Sequence, residues 1–392
     1  MSISRIYKAV ESDFSFHLPT LIEFGLGKAG LLGAKLLNLG VKNVFLVSDK
    51  GVEAAGLLRK LQQSLDTANI QYTTYLEVVP DPGLEIIDKG AAVFTSGAYD
   101  CIVAVGGGSA IDTAKGIRVI SSNGGSIGDF AGVDKVTTAP LVPLVAVPTT
   151  SGTGSEVTIF GVYSDWVKNV KVTVTSQHMA PTMALVDPEL TINLPKTMTA
   201  ASGIDALAHG IESFFSIKSC PASAALALEA IKLVGVHLRR SVDHGQDIEA
   251  RTGMSQGSLL AGMAFNNRFL GLAHAIGSAL SGHCHVPHGV AIGLLLPRVV
   301  EFNSSSRPDK AAKIAQLLGV KESNEDQLAA EAANAVGNLV KDIGLPTRLR
   351  DANVTEDKLC QIARDSFKSG MMKFNPRQPT EIEVLELLQR IY

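Results

Sequence analysis

Asp205 and His209 stand four residues apart, and four of the chain's nine histidines (His274, His283, His285 and His288) fall in one short stretch. Side chains four apart on a helix project from the same face, so the Asp205 carboxylate and the His209 imidazole can reach one point in space. With His274 and His288 they would offer one oxygen and three nitrogen donors to a divalent ion. Such a set suits Fe2+ or Zn2+ and leaves room for a substrate oxygen. A single histidine in an apolar segment is more often a hydrogen-bonded core residue. The coincidence of the Asp205/His209 pair with the histidine cluster is what favours metal.

These side chains need rigid elements to carry them. Across residues 195–216 Ala and Leu recur at helical intervals behind Pro195, as at a helix start. His274 lies in a second Ala/Leu-rich segment, and His288, between Pro287 and Gly289, is expected in a loop or at a helix start. From about residue 194 onward nothing reads as a strand, and residues 222–238, 327–342 and 380–390 read as helices. The second half is therefore expected to be all helical. Before about residue 190 the pattern differs. Residues 44–48, 101–105, 144–147 and 184–187 form short, nearly continuous apolar runs, as in parallel strands buried on both faces. Helical stretches such as residues 51–68 and 82–97 lie between them, giving the α/β alternation of a Rossmann-like sheet.

The first half carries chemistry of its own. Gly106, Gly107 and Gly108 follow a strand and precede Ser109, Asp112 and Lys115 at the opening of a helix. Glycines let backbone approach a ligand closely. Ser109 with Asp112 three residues on is expected to form a capping box, leaving the first amides for an anion such as pyrophosphate. The loop 148–156 follows another buried strand, and Thr149, Thr150, Thr153 and Ser155 crowd it with hydroxyls suited to phosphate or ribose oxygens. Either turn, alone, could be an ordinary connector. Asp49 ends the 44–48 run, where an acid receives a ribose 2′-hydroxyl and repels a 2′-phosphate, favouring NAD over NADP. It precedes the glycines by roughly sixty residues, whereas the usual fingerprint has the acid about twenty residues after them. Any dinucleotide site here is wired differently.

Composition bounds the rest. A chain of 392 residues can form two or three domains, and 46% hydrophobic against 19% charged residues describes a well-packed globular protein. A net charge of −3 with scattered basic residues gives no reason to expect nucleic acid. Cys101, Cys220, Cys284 and Cys360 lie far apart without CxxC spacing and read as reduced thiols. Residues 1–8 lack an apolar signal core, and no stretch of membrane-spanning length is free of polar breaks. A soluble, cytoplasmic protein is expected.

Taken together, the motifs at residues 24–27, 48–50, 106–115, 148–156, 187–189, 203–212, 274–289 and 375–377 make the chain resemble the iron-containing (group III) alcohol dehydrogenases over nearly its whole length. The resemblance implies the dehydroquinate synthase-like fold: an α/β NAD-binding domain over residues 1–190 and an all-helical metal and substrate domain over residues 191–392. It also implies an active site in the cleft between them and a homodimer or larger homo-oligomer. It carries the metal-ligand roles onto Asp205, His209, His274 and His288. Pyrophosphate contacts pass to Gly107, Gly108 and Ser109, with Gly106 and Asp112 in the same turn. Further cofactor contacts pass to Thr149, Thr150 and Ser155, with Thr153 in the same loop, and Lys171 matches a lysine near the nicotinamide ribose. The implied reaction is hydride transfer between a small primary alcohol and NAD(H), with Fe2+ first and Zn2+ second as the Lewis acid on the substrate oxygen.

Two positions depart from that pattern. Ser278 stands where many relatives carry a further histidine; its hydroxyl can pass a proton but is no base near neutral pH, so His285 or His283 is the compensating candidate. Arg268 stands where relatives have small or apolar residues. Facing the cleft, it would bind a carboxylated, phosphonated or sulfonated short aldehyde; an outward or subunit-facing arginine is the simpler reading. Phe265, Leu270 and Met371 are candidate apolar pocket walls, or ordinary core. The alternatives in other classes are a glycerol dehydrogenase-like polyol enzyme of the same superfamily and a non-catalytic binding protein, the latter disfavoured by the intact ligand set and phosphate loop.

Overall fold

Apolar β-branched runs separated by helical crossovers build a parallel sheet in the unit spanning Leu18–Leu194. The computed structural model describes residues 13–168, 170–322 and 324–392, so the N-terminal residues 1–8 read above for a signal sequence lie outside it. The strands are β1 (Leu21–Phe24), β2 (Asn43–Val47), β3 (Gln71–Tyr75), β4 (Cys101–Gly106), β5 (Gly132–Val133), β6 (Leu144–Pro148), β7 (Phe160–Asp165), β8 (Val170–Thr175) and β9 (Met183–Val186). Six of them form one all-parallel sheet in the order β1-β9-β6-β4-β2-β3. The other three form a small sheet, β5-β8-β7, in which β7 runs antiparallel to β8. The crossovers include α1 (Leu32–Asn38), α2 (Lys50–Ala54), α3 (Leu58–Thr67), α4 (Leu84–Ser96) and α5 (Gly108–Asn123).

The sheet is apolar on both faces because alternate residues of each strand enter opposite cores. Phe45, Val47, Ile102, Ala104, Leu144 and Ala146 pack one face. Val44, Leu46, Val103, Val105, Val145 and Val147 pack the other. Each fully buried large side chain contributes roughly 1.5–3 kcal/mol, which fixes the register of the central strands firmly. The helix expected over residues 51–68 is instead two, α2 and α3, because the chain turns through Gly56 at φ 73°.

The second unit is Pro195–Tyr392 together with the N-terminal segment ending at His17. Its helices are α6 (Lys196–Phe215), α7 (Pro221–Asp243), α8 (Ile248–Arg268), α9 (Leu272–Cys284), α10 (His288–Ser304), α11 (Pro308–Leu317), α12 (Glu325–Asp342), α13 (Leu359–Ser366) and α14 (Glu381–Arg390), and among the described residues it holds no strand. Helix α7 is long and apolar enough to cross a membrane by length and composition. It carries Glu229 and Lys232, however, and buries Ala224, Ala227, Ile231, Val234 and Leu238 in the helical core. Close helix approach relies on small residues. A Cβ at Gly289, in the first turn of α10, would lie 2.1 Å from the Ala201 carbonyl oxygen of α6.

Candidate metal centre and nucleotide site

Helix α6 presents Asp205 and His209 one turn apart, both buried. His274 lies in the first turn of α9, and His288 opens α10 directly after Pro287. The three helices bring four donor atoms together. Asp205 Oδ1 lies 3.7 Å from His209 Nε2, 3.3 Å from His274 Nε2 and 3.6 Å from His288 Nε2. A tetrahedral ion with bonds of about 2.0–2.2 Å sets its donors about 3.3–3.6 Å apart. The residues therefore fit a divalent ion without rearrangement of the backbone. The Asp205, His209 and His274 donor atoms all lie within 4.8 Å of one another in a buried group, whereas the His288 side chain is 38% exposed and marks the open side. Burial alone would raise the Asp205 carboxyl, but the His209, His274 and His288 rings hold it well below the usual carboxylate range.

Phe265 of α8 stacks on His209 with ring centroids 4.4 Å apart, and His209 stacks on His274 at 4.7 Å. These contacts fix the imidazole planes. A residue that sequence reasoning passed over completes the cluster. Glu212, 2% exposed, places Oε2 2.5 Å from His274 Nδ1 and accepts the Ala273 amide on Oε1 at 2.6 Å. Its signal was present: residues 205, 209 and 212 are spaced four and three apart on one face of α6.

The other candidates in this unit fall differently. Arg268 does not point outward. It is 6% exposed, donating from Nη2 to the Ser15 carbonyl at 2.9 Å and to Cys220 Sγ at 2.8 Å. Phe14 and Ser15 lie against the guanidinium at the end of α8. Ser278 donates to the His274 carbonyl four residues back, at 2.8 Å. His283 Nε2 pairs with Asp365 at 2.8 Å, and His285 is exposed at the end of α9 with φ 53°. Leu270 is buried, and Met371 packs half-buried against the helical core.

In the α/β unit the register aligns the ends of β4 and β6, with Gly106 beside Pro148. Asp49, Gly106 to Ser109 and Thr149 to Ser155 therefore all follow the carboxyl ends of adjacent strands, β2, β4 and β6, where open α/β sheets bind ligands. Gly106 has φ 152°, and the Thr149 amide donates to its carbonyl at 3.0 Å. The capping box expected from Ser109 and Asp112 is absent. Helix α5 starts at Gly108 behind Gly107, no side chain caps it, and Ser109 already lies within the first turn. Asp112 instead accepts from Ser155 Oγ at 2.5 Å and from the Val162 amide at 3.0 Å. The uncapped start leaves its amides for an anion.

Thr150 and Thr153 stand over this turn: a Cβ on Gly107 would lie 3.4 Å from Thr150, and one on Gly108 2.8 Å from Thr153. Behind the loop, fully buried Lys115 donates to Ser155 Oγ at 2.8 Å, Thr158 Oγ1 at 3.1 Å and the Phe160 carbonyl at 2.6 Å. Burial pushes Lys115 down to about 8 and Glu156 up to about 7. Asp112, Ser155 and Lys115 thus tie the two loops together. Asp49 caps α2, accepting the Gly51 and Val52 amides on Oδ1 at 2.8 and 2.9 Å. Lys171 on β8 pairs with Asp81 at 2.6 Å and Ser164 at 3.0 Å.

Two family profiles cover almost the entire chain: iron-containing alcohol dehydrogenase over residues 19–188, and Fe-containing alcohol dehydrogenase family, C-terminal, over residues 199–392. The chain belongs to the iron-containing alcohol dehydrogenase family. Among its relatives is a 1,3-propanediol dehydrogenase of Klebsiella pneumoniae, 38% identical over 97% of this chain and 99% of that protein. An NAD-dependent methanol dehydrogenase of Bacillus methanolicus is 34% identical over 96% of this chain and 99% of its own length. The solved structure of a sulfoacetaldehyde reductase from Bifidobacterium kashiwanohense in complex with NAD+ superposes with a TM-score of 0.88 at 29% identity, covering 97% of this chain and 98% of that one. The parallel-sheet unit and helical unit are the fold of this family, and the chain is a metal-dependent alcohol dehydrogenase, an oxidoreductase.

Proposed function

We propose that the protein interconverts small neutral primary alcohols and their aldehydes with NAD(H), and that Asp205, His209, His274 and His288 hold its divalent ion, Fe2+ first and Zn2+ as the alternative. The observation that carries this reading is the spacing of three imidazole nitrogens 3.3–3.7 Å from one carboxylate oxygen. An ion bound there supplies Lewis acidity that polarises the carbon–oxygen bond of the substrate. Phe265 keeps the His209 ring in plane, and the more exposed His288 leaves that side of the cluster open to a substrate oxygen.

The same reading assigns NAD binding to the unit Leu18–Leu194, in place of the expected residues 1–190, and metal and substrate to the helical unit, in place of residues 191–392. The uncapped amides after Gly107 receive the pyrophosphate, with Thr149, Thr150 and Thr153 as hydroxyl partners. Asp49 keeps one carboxylate oxygen, Oδ2, for a ribose hydroxyl, which favours NAD over NADP. Asp112 and Ser155 support these loops, and Lys171 is placed near the nicotinamide ribose by resemblance alone. A sulfonated or carboxylated aldehyde is the second reading, favoured by the sulfoacetaldehyde reductase likeness; the engagement of Arg268 with Ser15 and Cys220 speaks for a neutral substrate. A cytoplasmic homodimer belongs to this proposal too, supported by four free cysteines and by exposed Leu21, Leu26 and Leu31 along and after the edge strand β1.

The test strips the metal with a chelator, restores Fe2+ or Zn2+, and follows oxidation of NADH or NADPH with neutral and anionic two- to four-carbon aldehydes and with polyols in reverse. Turnover only after metal, with neutral aldehydes and NADH preferred, is expected. Preference for anionic aldehydes moves the reading to the second one, preference for glycerol moves it to a polyol enzyme, and no turnover with any substrate leaves a binding protein.

A further inference from the structure

Helix α9 begins without a cap of its own: Gly271 has no side chain, and no capping bond is made there. Its first amides are taken by residues distant in sequence. Leu272 N–H donates to Asn375 Oδ1 at 3.3 Å, and Ala273 N–H donates to Glu212 Oε1 at 2.6 Å. His274 follows immediately, with Nδ1 on the second oxygen of the same Glu212 carboxylate. Gly271 is required by this arrangement, since a Cβ there would stand 2.9 Å from Asn375 Oδ1 and 3.2 Å from Glu212 Oε1. Asn375 is also locked to α10 by a reciprocal amide pair with Asn303, at 2.7 and 3.0 Å. The preceding Phe269 sits at φ 61°, an unfavourable conformation for an aromatic residue, and stacks on Phe374 at 4.3 Å. The motif around Asn375 thus has a physical role: it staples the α8–α9 turn.

We propose that Glu212 is a positioning residue that fixes the tautomer of His274 as well as its place, with Asn375 and Gly271 holding the helix start in register. The proposal rests on the metal reading above. An amide N–H can only donate, so one oxygen of Glu212 is committed as an acceptor. With Oε1 taken by that amide, Oε2 faces Nδ1 of His274 at 2.5 Å and accepts its hydrogen. Nε2 is then the nitrogen turned toward Asp205 Oδ1, 3.3 Å away, and is the one offered to a metal. A carboxylate behind a ligand histidine also raises the basicity of the ligating nitrogen.

Glu212→Gln separates this role from simple packing because it preserves the size of the side chain. Its carbonyl oxygen remains with the Ala273 amide, and its NH2 then faces Nδ1. The histidine must turn its lone pair to Nδ1 and its hydrogen to Nε2, the wrong tautomer for a ligand. The experiment measures Zn2+ affinity by chelator competition, the visible bands of the Co2+-substituted protein and the melting temperature of the metal-free protein, for wild type, Glu212→Gln and Gly271→Ala. Loss of a partner behind a ligand histidine typically weakens metal binding by about 10–100-fold. Glu212→Gln is expected to show that loss with altered Co2+ bands and little change in metal-free melting, and Gly271→Ala a loss on the order of tenfold by displacing the same two acceptors. Unchanged Zn2+ affinity and Co2+ bands in Glu212→Gln would overturn the proposal. Failure of wild-type protein to bind Zn2+, or retention of full affinity in Asp205→Asn, would instead overturn the metal reading beneath it.

Discussion

Gly289→Ala changes none of the proposed ligands and adds only one methyl group, yet it tests how α6 and α10 are spaced. A Cβ at residue 289 would stand 2.1 Å from the Ala201 carbonyl oxygen and 2.6 Å from the Ala201 carbonyl carbon. Real Cβ contacts essentially never fall below 3.0 Å, so α10 must retreat from α6 by about 0.9 Å. The obstacle is backbone and has no rotamer with which to yield. Ala201 lies one turn before Asp205, and Gly289 adjoins His288, so the retreat falls directly on a separation that is 3.6 Å in the native protein. Functional constellations tolerate displacements of roughly 0.5 Å, and a 1 Å error costs on the order of 100-fold. Overpacking of this kind also destabilises by about 1–3 kcal/mol. Zn2+ affinity by chelator competition, read beside urea unfolding of the metal-free protein, is expected to fall by about 10–100-fold. Gly337→Ala in α12 is the control, because its nearest neighbour would be 3.8 Å away and neither quantity should worsen. Native affinity in Gly289→Ala would show that contact between α6 and α10 does not set the His288 position.

Three further outcomes follow from the same structure. Arg268→Met should lower unfolding stability by roughly 1 kcal/mol, because the bonds of the buried guanidinium to the Ser15 carbonyl and Cys220 are lost. The ratio of kcat/KM for anionic and neutral aldehydes should not move, and a fall in it would restore Arg268 to the substrate site. Asp49→Asn keeps an oxygen for the Gly51 and Val52 amides but removes the charge, so preference for NADH over NADPH should relax by on the order of tenfold or more. An unchanged ratio removes Asp49 from the cofactor site. Burial pushes Lys310 down to about 7 from 10.5 while its ammonium donates to the Phe214 carbonyl. Between those values the unfolded chain binds the extra proton, so stability rises with pH, by up to about 1.4 kcal/mol per unit. Urea titrations from pH 7 to roughly 10 should show wild type gaining on Lys310→Met; parallel curves would show that Lys310 keeps its charge in the fold.

The central strands were legible because burial on both faces leaves β2, β4 and β6 almost wholly apolar. Edge position hid the rest: Gln71 to Tyr75 alternates exposed and covered residues and includes three polar ones, so β3 lacks the continuous run. The antiparallel pair β7 and β8 likewise mixes Ser164, Lys171 and Thr173 with its apolar residues. For the metal cluster the i, i+4 spacing of Asp205 and His209 carried the inference. Glu212, on the same face, was missed because a carboxylate within an apolar helix announces no partner until α9 is in place. The Ser109–Asp112 spacing suggested a cap, but cap chemistry depends on where the helix begins, and the glycines let it begin at Gly108. The fate of Arg268 depended on Ser15, over 250 residues away in sequence, and no local pattern encodes that contact.

The assignment of Asp205, His209, His274 and His288 to one divalent ion is tested most directly by anomalous diffraction at the zinc edge on crystals of the Zn2+-loaded protein. One strong peak about 2.0–2.2 Å from Asp205 Oδ1 and from the Nε2 atoms of the three histidines is the expected result. A fully occupied peak elsewhere, or a vacant cluster in a protein that turns over aldehyde, would contradict it.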